Sequence, residues 1–233
     1  MANSEINIIA DIGGTNMRVA QIDAQGRIAD ITIYACADYA GLAEVLADFI
    51  NRQQLQDKCI NACLAIACPV GKDLIVMTNL PWQFSQKQLK AQLALNELVL
   101  INDFTAIAHA IPQLGAKQKV QIGVGEVVAN KPISICGPGT GLGVANLIAI
   151  DATWHSLSGE GGHVDFAPVD QQEIAILNFL KNKHDRVSYE QLLSGMGIEQ
   201  IYQALSFEKN GLAISLSAKE ITAKALSGSC SLA

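Results

Sequence analysis

Ile8-Ile9-Ala10-Asp11-Ile12-Gly13-Gly14-Thr15-Asn16-Met17-Arg18-Val19 reads as an apolar strand, a tight glycine turn and a second strand returning antiparallel. Adjacent Gly13 and Gly14 are expected to supply the positive φ values of a two-residue hairpin and to leave backbone N–H groups uncovered. Thr15 and Asn16 add short donors, and Asp11 sets a carboxylate where the chain enters the turn. Amides and hydroxyls around a bend form a concavity suited to an anion, most obviously a phosphate. An ordinary hairpin would carry the same glycines, so the stretch needs support from the rest of the chain.

Composition bounds that support. The chain has 233 residues, half of them apolar, with 5% aromatic and 16% charged. It can therefore bury a sizeable core as one large or two small α/β units, and it is not a disordered polymer. A formal charge of −6 argues against nucleic acid or an anionic membrane as the main partner. An anionic substrate must then be held locally, by backbone amides or a metal. No basic-then-apolar leader opens the chain, and no run reaches the roughly 18 apolar residues of a membrane span. Cys36, Cys59, Cys63, Cys68, Cys136 and Cys230 form no CxxC pairs; they read as reduced thiols, Cys63 and Cys68 as small buried hydrophobes, in a cytoplasmic protein.

Outward from the opening stretch, 6–12, 17–23 and 27–35 read as three strands of a meander, with turns at Gly13-Gly14 and Ala24-Gln25-Gly26. Leu42, Val45, Leu46, Phe49 and Ile50 mark one helical face. The apolar run 59–69 suits a strand buried on both faces of a sheet. Thr78-Asn79-Leu80-Pro81-Trp82 reads as a polar loop with an exposed tryptophan. A helix capped by Ser85, a strand at 97–101 and a short helix at 104–111 follow. This completes a first α/β lobe, 1–111. The second lobe, 112–233, has strands at 133–136 and 142–151 and helices near 170–183, 188–194, 197–207 and 217–227.

Gly137-Pro138-Gly139-Thr140-Gly141-Leu142-Gly143 repeats the opening logic of strand, glycine turn with threonine, strand. It fits neither the dinucleotide GxGxxG register nor a P-loop. Two such turns, one in each half, suit the two ends of a polyphosphate. Asn102-Asp103 closes a predicted strand at its carboxyl end, where open α/β sheets place ligands. Asp103 could take a proton from a hydroxyl nucleophile, and it could equally cap the helix that follows. Ser158-Gly159-Glu160-Gly161-Gly162-His163-Val164-Asp165-Phe166 sets an imidazole and carboxylates among glycines. Glu160 and His163 there suit vicinal hydroxyls, and the stretch is short of ligands for zinc. Glu190 reads either as a ligand or as an acid in the first turn of a Ser188-capped helix, and position alone leaves that open.

Together these residues resemble the bacterial glucokinase family, ATP-dependent hexose kinases. The matching stretches are Asp11-Ile12-Gly13-Gly14-Thr15-Asn16, Thr78-Asn79 with Trp82, 101–106, 139–144, Gly159 to Pro168, and Ser188 to Gly195. The resemblance implies an actin-like (ribonuclease H-like) ATPase fold with two lobes around a cleft. It implies Asn102, Asp103, Glu160, His163 and Glu190 on the sugar, with Asp103 as general base for the 6-hydroxyl. Asp11, Gly13, Gly14, Thr15 and Asn16 would form one phosphate turn, with Asp11 near Mg2+, and Gly139, Thr140 and Gly141 the other. Glucose is the expected hexose, and ATP with Mg2+ the expected phosphoryl donor. The family pattern runs on past Ala233 with an adenosine motif and a closing helix, so the second lobe is expected to be incomplete here. Its uncovered apolar surface would suit a homodimer. The competing class is a sugar-binding or regulatory protein that keeps the hexose site and holds ATP poorly.

Overall fold

The computed structural model describes residues 5–23 and 25–233; Ala24, in the second expected turn, lies outside the described residues. The chain divides into two compact units, up to Val120 and from Gln121.

The first unit is built on a five-stranded sheet. Its strands are β1 (Glu5–Ile12), β2 (Asn16–Ile22), β3 (Ile28–Ala35), then, after helix α1 (Leu42–Arg52), β4 (Cys59–Ile66). A small hairpin, β5 (Leu74–Val76) with β6 (Gln83–Ser85), precedes helix α2 (Gln86–Gln92), strand β7 (Glu97–Asn102) and helix α3 (Asp103–Ala110). The sheet order is β3-β2-β1-β4-β7, with the first three strands antiparallel and β1, β4 and β7 parallel.

The apolar stripe of α1 explains why the sheet has one dry face. Leu42, Val45, Leu46, Phe49 and Ile50 are all buried, packed with Ile8, Ile12, Met17, Val19, Leu64 and Ile66. The run 59–66 alternates instead of being buried on both faces. Ile60, Ala62, Leu64 and Ile66 are buried, while Cys59, Asn61, Cys63 and Ala65 are only half-covered. The physical reason lies on that second face, where Asn61 donates to Asn7 at 3.2 Å and accepts from Asn96 at 2.9 Å. A polar ladder of this kind is satisfied at a wet face and would be costly in a dry one.

Two local readings are corrected. Trp82 is 4% exposed, packed in the first unit's core, because the β5–β6 hairpin folds the 77–82 loop inward. The backbone closes that loop, Met77 N–H donating to Trp82 O at 3.0 Å. The turn after β1 has three residues, Gly13-Gly14-Thr15, closed by Gly13 N–H to Asn16 O at 3.1 Å. Neither glycine takes a left-handed φ. Gly14 must be glycine for another reason: a Cβ there would lie 2.9 Å from the Asn79 Cβ. Close approach, not turn handedness, selects it.

The second unit begins with a three-stranded antiparallel sheet of β8 (Ile133–Pro138), β9 (Leu142–Ile150) and β10 (Thr153–Ser158), in the order β10-β9-β8. Helices α4 (Gln171–Lys181), α5 (Gly195–Asn210) and α6 (Ala218–Ser227) follow. The stretch expected as a helix at 188–194 is only a short 3-10 turn, Tyr189–Gln191, because Ser194 restarts the chain as N-cap of α5. A compact core of Ile176, Leu180, Val187, Leu192 and Ala204 holds α4 to α5.

Replacing Trp82 by alanine is expected to destabilise the first unit by about 3–5 kcal/mol, the usual cost of truncating a buried aromatic. A urea melt reads this directly; a change under about 1 kcal/mol would return Trp82 to the surface.

Candidate active site

In the first unit, the parallel register aligns Ile12 with Ile66 and Ile66 with Asn102. The glycine turn and Asp103 therefore leave the same edge of the sheet, at the carboxyl ends of its parallel strands. One strand separates them, a span of about 9–10 Å at ordinary strand spacing.

Asn102, not Asp103, is the cap of α3. Its Oδ1 accepts from the N–H of Phe104 at 3.0 Å and of Thr105 at 3.2 Å. Its Nδ2 donates to Asp103 Oδ1 at 2.9 Å, and Phe104 N–H donates to that same oxygen at 2.8 Å. One oxygen of Asp103 is thus fixed by two donors at a helix start, where a negative charge is favoured. Among the described residues nothing donates to its Oδ2. The arrangement is an anchored carboxylate with a free acceptor, half-buried beside α3.

The glycine turn has its own frame. Cys36, 2% exposed, donates its N–H to Thr15 O at 2.9 Å and its thiol to Gly13 O at 3.7 Å. Gly13 N–H is spent on closing the turn, so it is not one of the open donors the sequence suggested. The Gly14 and Thr15 amides make no backbone hydrogen bond among the described residues. Asp11, more than half exposed, accepts from Arg18 at 3.0 Å through Oδ2, its register partner on β2. Its Oδ1 is open.

The second unit repeats this economy. Gly139 N–H closes the three-residue turn on Gly141 O at 2.8 Å, and Gly139 O accepts from Gly195 N–H at 2.9 Å. The Thr140 and Gly141 amides make no backbone hydrogen bond among the described residues. Leu142 N–H donates to Glu190 Oε2 at 3.0 Å. His163 lies between two carboxylates, with Nδ1 3.7 Å from Glu190 Oε1 and Nε2 3.8 Å from Glu160 Oε2. Those gaps are too long for hydrogen bonds, so both carboxylates keep acceptor capacity beside an imidazole. Glu160 and His163 are largely exposed, Glu190 less than a third. The glycines of this loop let it lie on β9: a Cβ on Gly162 would meet Leu142 O at 2.3 Å, and one on Gly161 would meet Val144 at 2.7 Å.

Within each unit the geometry joins exactly the residue classes needed for phosphate and hydroxyl binding. The family model for glucokinase matches residues 8–233. A glucokinase of Colwellia psychrerythraea is 54% identical over 239 residues, covering 99% of this chain and 72% of that protein. This chain belongs to the glucokinase family. A Salmonella arizonae glucokinase is 43% identical over 96% of this chain and 69% of its own length. The crystal structure of a glucokinase from an Antarctic psychrotroph superposes with a TM-score of 0.85 at 35% identity, over 97% of this chain and 72% of that one. The fold is the α/β, actin-like ATPase fold of sugar kinases.

Three contributors to this glucokinase-family site were not legible as such. Cys36, just past the end of the neighbouring strand β3, holds two of the first turn's carbonyls. Asn79 supplies the neighbour that Gly14 accommodates. Arg186 donates from Nε to Asp165 Oδ1 and from Nη2 to His163 O, tying the imidazole's backbone to the segment before Glu190. Each acts on residues distant in sequence, so no local motif announces it.

Burial pushes the Cys36 thiol up, and burial together with the Asp103 carboxylate does the same for Cys68. Both therefore stay protonated through neutral pH and make poor nucleophiles. Iodoacetamide at pH 7 is expected to modify exposed Cys136 and to spare Cys36 and Cys68. Rapid labelling of either, read by peptide mass spectrometry, would contradict its burial.

Proposed function

We propose that this glucokinase-family protein transfers the γ-phosphoryl group of ATP to the 6-hydroxyl of glucose, with Asp103 as the general base. The observation that carries the reading is the asymmetry of the Asp103 carboxylate. Oδ1 is held by Asn102 and Phe104, while Oδ2 is open on the sheet edge from which the first glycine turn also leaves. A hydroxyl donating to Oδ2 would lose its proton as its oxygen attacks the γ-phosphorus. That phosphorus–oxygen bond forms as the bond to the β-phosphate oxygen breaks, and ADP leaves.

In such a reaction the protein chiefly positions reactants and offsets charge. The Asn102 side chain is largely spent on capping α3, so its service is to orient Asp103, with one Nδ2 proton left for a sugar oxygen. Glu160, His163 and Glu190 are read as holding the remaining hydroxyls, as acceptors flanking a donor-acceptor ring. Gly13, Gly14, Thr15 and Asn16, and Gly139, Thr140 and Gly141, are read as the two phosphate turns, the open amides of each aimed at phosphate oxygens. Bound Mg2+ would neutralise the phosphate charge. Asp11, whose Oδ2 is taken by Arg18, is the carboxylate that would hold that ion, directly or through water. ATP supply suits a cytoplasmic setting, and no described helix is long and apolar enough to cross a membrane.

Asp103→Asn keeps an oxygen acceptor for Phe104 and loses the base. It is expected to lower turnover by about 10²–10⁴-fold, the range for a general base, while the glucose dissociation constant shifts only a few-fold. A coupled ADP assay and calorimetric glucose titration measure the two. Turnover at the wild-type level would end the base assignment.

A further inference from the structure

The segment Ser188 to Gly195 meets the second glycine turn at both ends. Gly195 N–H holds Gly139 O at 2.9 Å, before Thr140, and the Glu190 carboxylate holds Leu142 N–H at 3.0 Å, after Gly141. Only Thr140 and Gly141 lie between the two anchors. The segment that provides them is itself stiff. Ser188 N–H donates to Gln191 Oε1 at 2.8 Å, and Gln191 N–H to Ser188 O at 3.1 Å. Tyr189 N–H donates to Val164 O at 3.0 Å, and Leu193 N–H to Tyr189 O at 2.7 Å.

Gly141 is explained by the same carboxylate. Its φ is not left-handed, yet a Cβ there would lie 2.4 Å from Glu190 Oε2. A side chain at position 141 would displace the end of that carboxylate, which glycine leaves in place. Meanwhile Glu190 Oε1, the other oxygen of the same rigid group, lies 3.7 Å from His163 Nδ1.

We propose that Glu190 is a positioning residue that ties the hydroxyl-binding loop to the second phosphate turn, so that a hydroxyl bound at its Oε1 sets the geometry of the turn held by its Oε2. This rests on the reading of residues 139–141 as a phosphate turn. The carboxylate is planar, so rotating Oε1 toward a hydroxyl donor carries Oε2 with it. Leu142 is the first residue of β9; its register partner Pro138 has no N–H to give it, the Glu190 carboxylate is what holds its amide, and Gly139 is pinned to Gly195. The slack is confined to Thr140 and Gly141, whose amides are the open ones. Sugar on one side of Glu190 thereby orders donors on the other. A side chain that only contacted sugar would leave the turn untouched.

The test combines amide hydrogen exchange at Leu142 with steady-state kinetics in which glucose and ATP are varied separately. Glu190→Gln keeps a neutral acceptor for Leu142 and loses the charge beside His163. It should raise the glucose KM and leave Leu142 protection and the ATP KM within about threefold of wild type. Glu190→Ala loses both contacts. It should speed Leu142 exchange and raise the ATP KM by about tenfold each, the scale of one hydrogen bond to a charged group, as well as raising the glucose KM. Gly141→Ala, which pushes the carboxylate aside, should reproduce the Leu142 and ATP effects in the wild-type background and add less than about twofold to Glu190→Ala. Unchanged Leu142 exchange and ATP KM in Glu190→Ala would make Glu190 a sugar contact only and overturn the proposal. Full additivity with Gly141→Ala would overturn it as well. Should Glu190→Ala fail to fold, the contrast between Glu190→Gln and Gly141→Ala decides the same question. If the wild-type chain forms no ADP with glucose, the proposed reaction fails, while Leu142 exchange in the three variants still decides the tether.

Discussion

In the second unit the backbone of Leu142 is engaged at both its N–H and its carbonyl. Its N–H is taken by the Glu190 carboxylate, and its carbonyl oxygen lies where a Cβ on Gly162 would have to go. One residue at the start of a strand thus sets both the end of the glycine turn and the seat of the Gly159–Pro168 loop. A side chain larger than hydrogen at Gly141 or Gly162 would need atoms to overlap, and relief would move a carboxylate in one case and strand backbone in the other. The second is the costlier, because backbone in a ladder cannot shift without losing its bonds.

The first unit reaches a comparable end by different means. There the turn is held by the Cys36 hydrogen bonds and packed against Asn79, and the Asp103 carboxylate is held by Asn102 and by the first turn of the helix it opens. In both units the turn's closing amide is used up internally, and two amides have no backbone partner among the described residues. Backbone donors of this kind suit a chain with a net charge of −6, since they attract an anion without adding side-chain charge. They are also already ordered before a ligand arrives, so little conformational entropy remains to be lost on binding.

Several elements were readable in advance because their signals are local. The α1 stripe repeats at helical spacing, Ser85 caps α2 as its position suggested, and the ends of β1 and β7 are marked by abrupt changes from apolar to polar residues. The elements that differed depended on contacts. Trp82 beside Pro81 in a polar loop looks exposed until the β5–β6 hairpin turns it inward. The run 59–66 looks buried throughout until the asparagine ladder shows one face to be polar. Tyr189 to Gln191 looks like a helix start, and a new cap at Ser194 cuts it short.

What the amino-acid sequence determined by itself is the chemistry on offer: two glycine–threonine turns, a carboxylate at a strand end, and an imidazole with carboxylates among glycines, in an order that marks the glucokinase family. What only the tertiary structure decided is how those groups are held. The sequence could not say that Gly14 and Gly141 lie against Asn79 and Glu190, nor that Asn102 rather than Asp103 caps α3. It left Glu190 between two roles, because the N–H that the carboxylate accepts belongs to a residue 48 positions away. Residue types and spacings record what a segment can do locally, and which partner it meets across such a separation is settled only when the chain packs.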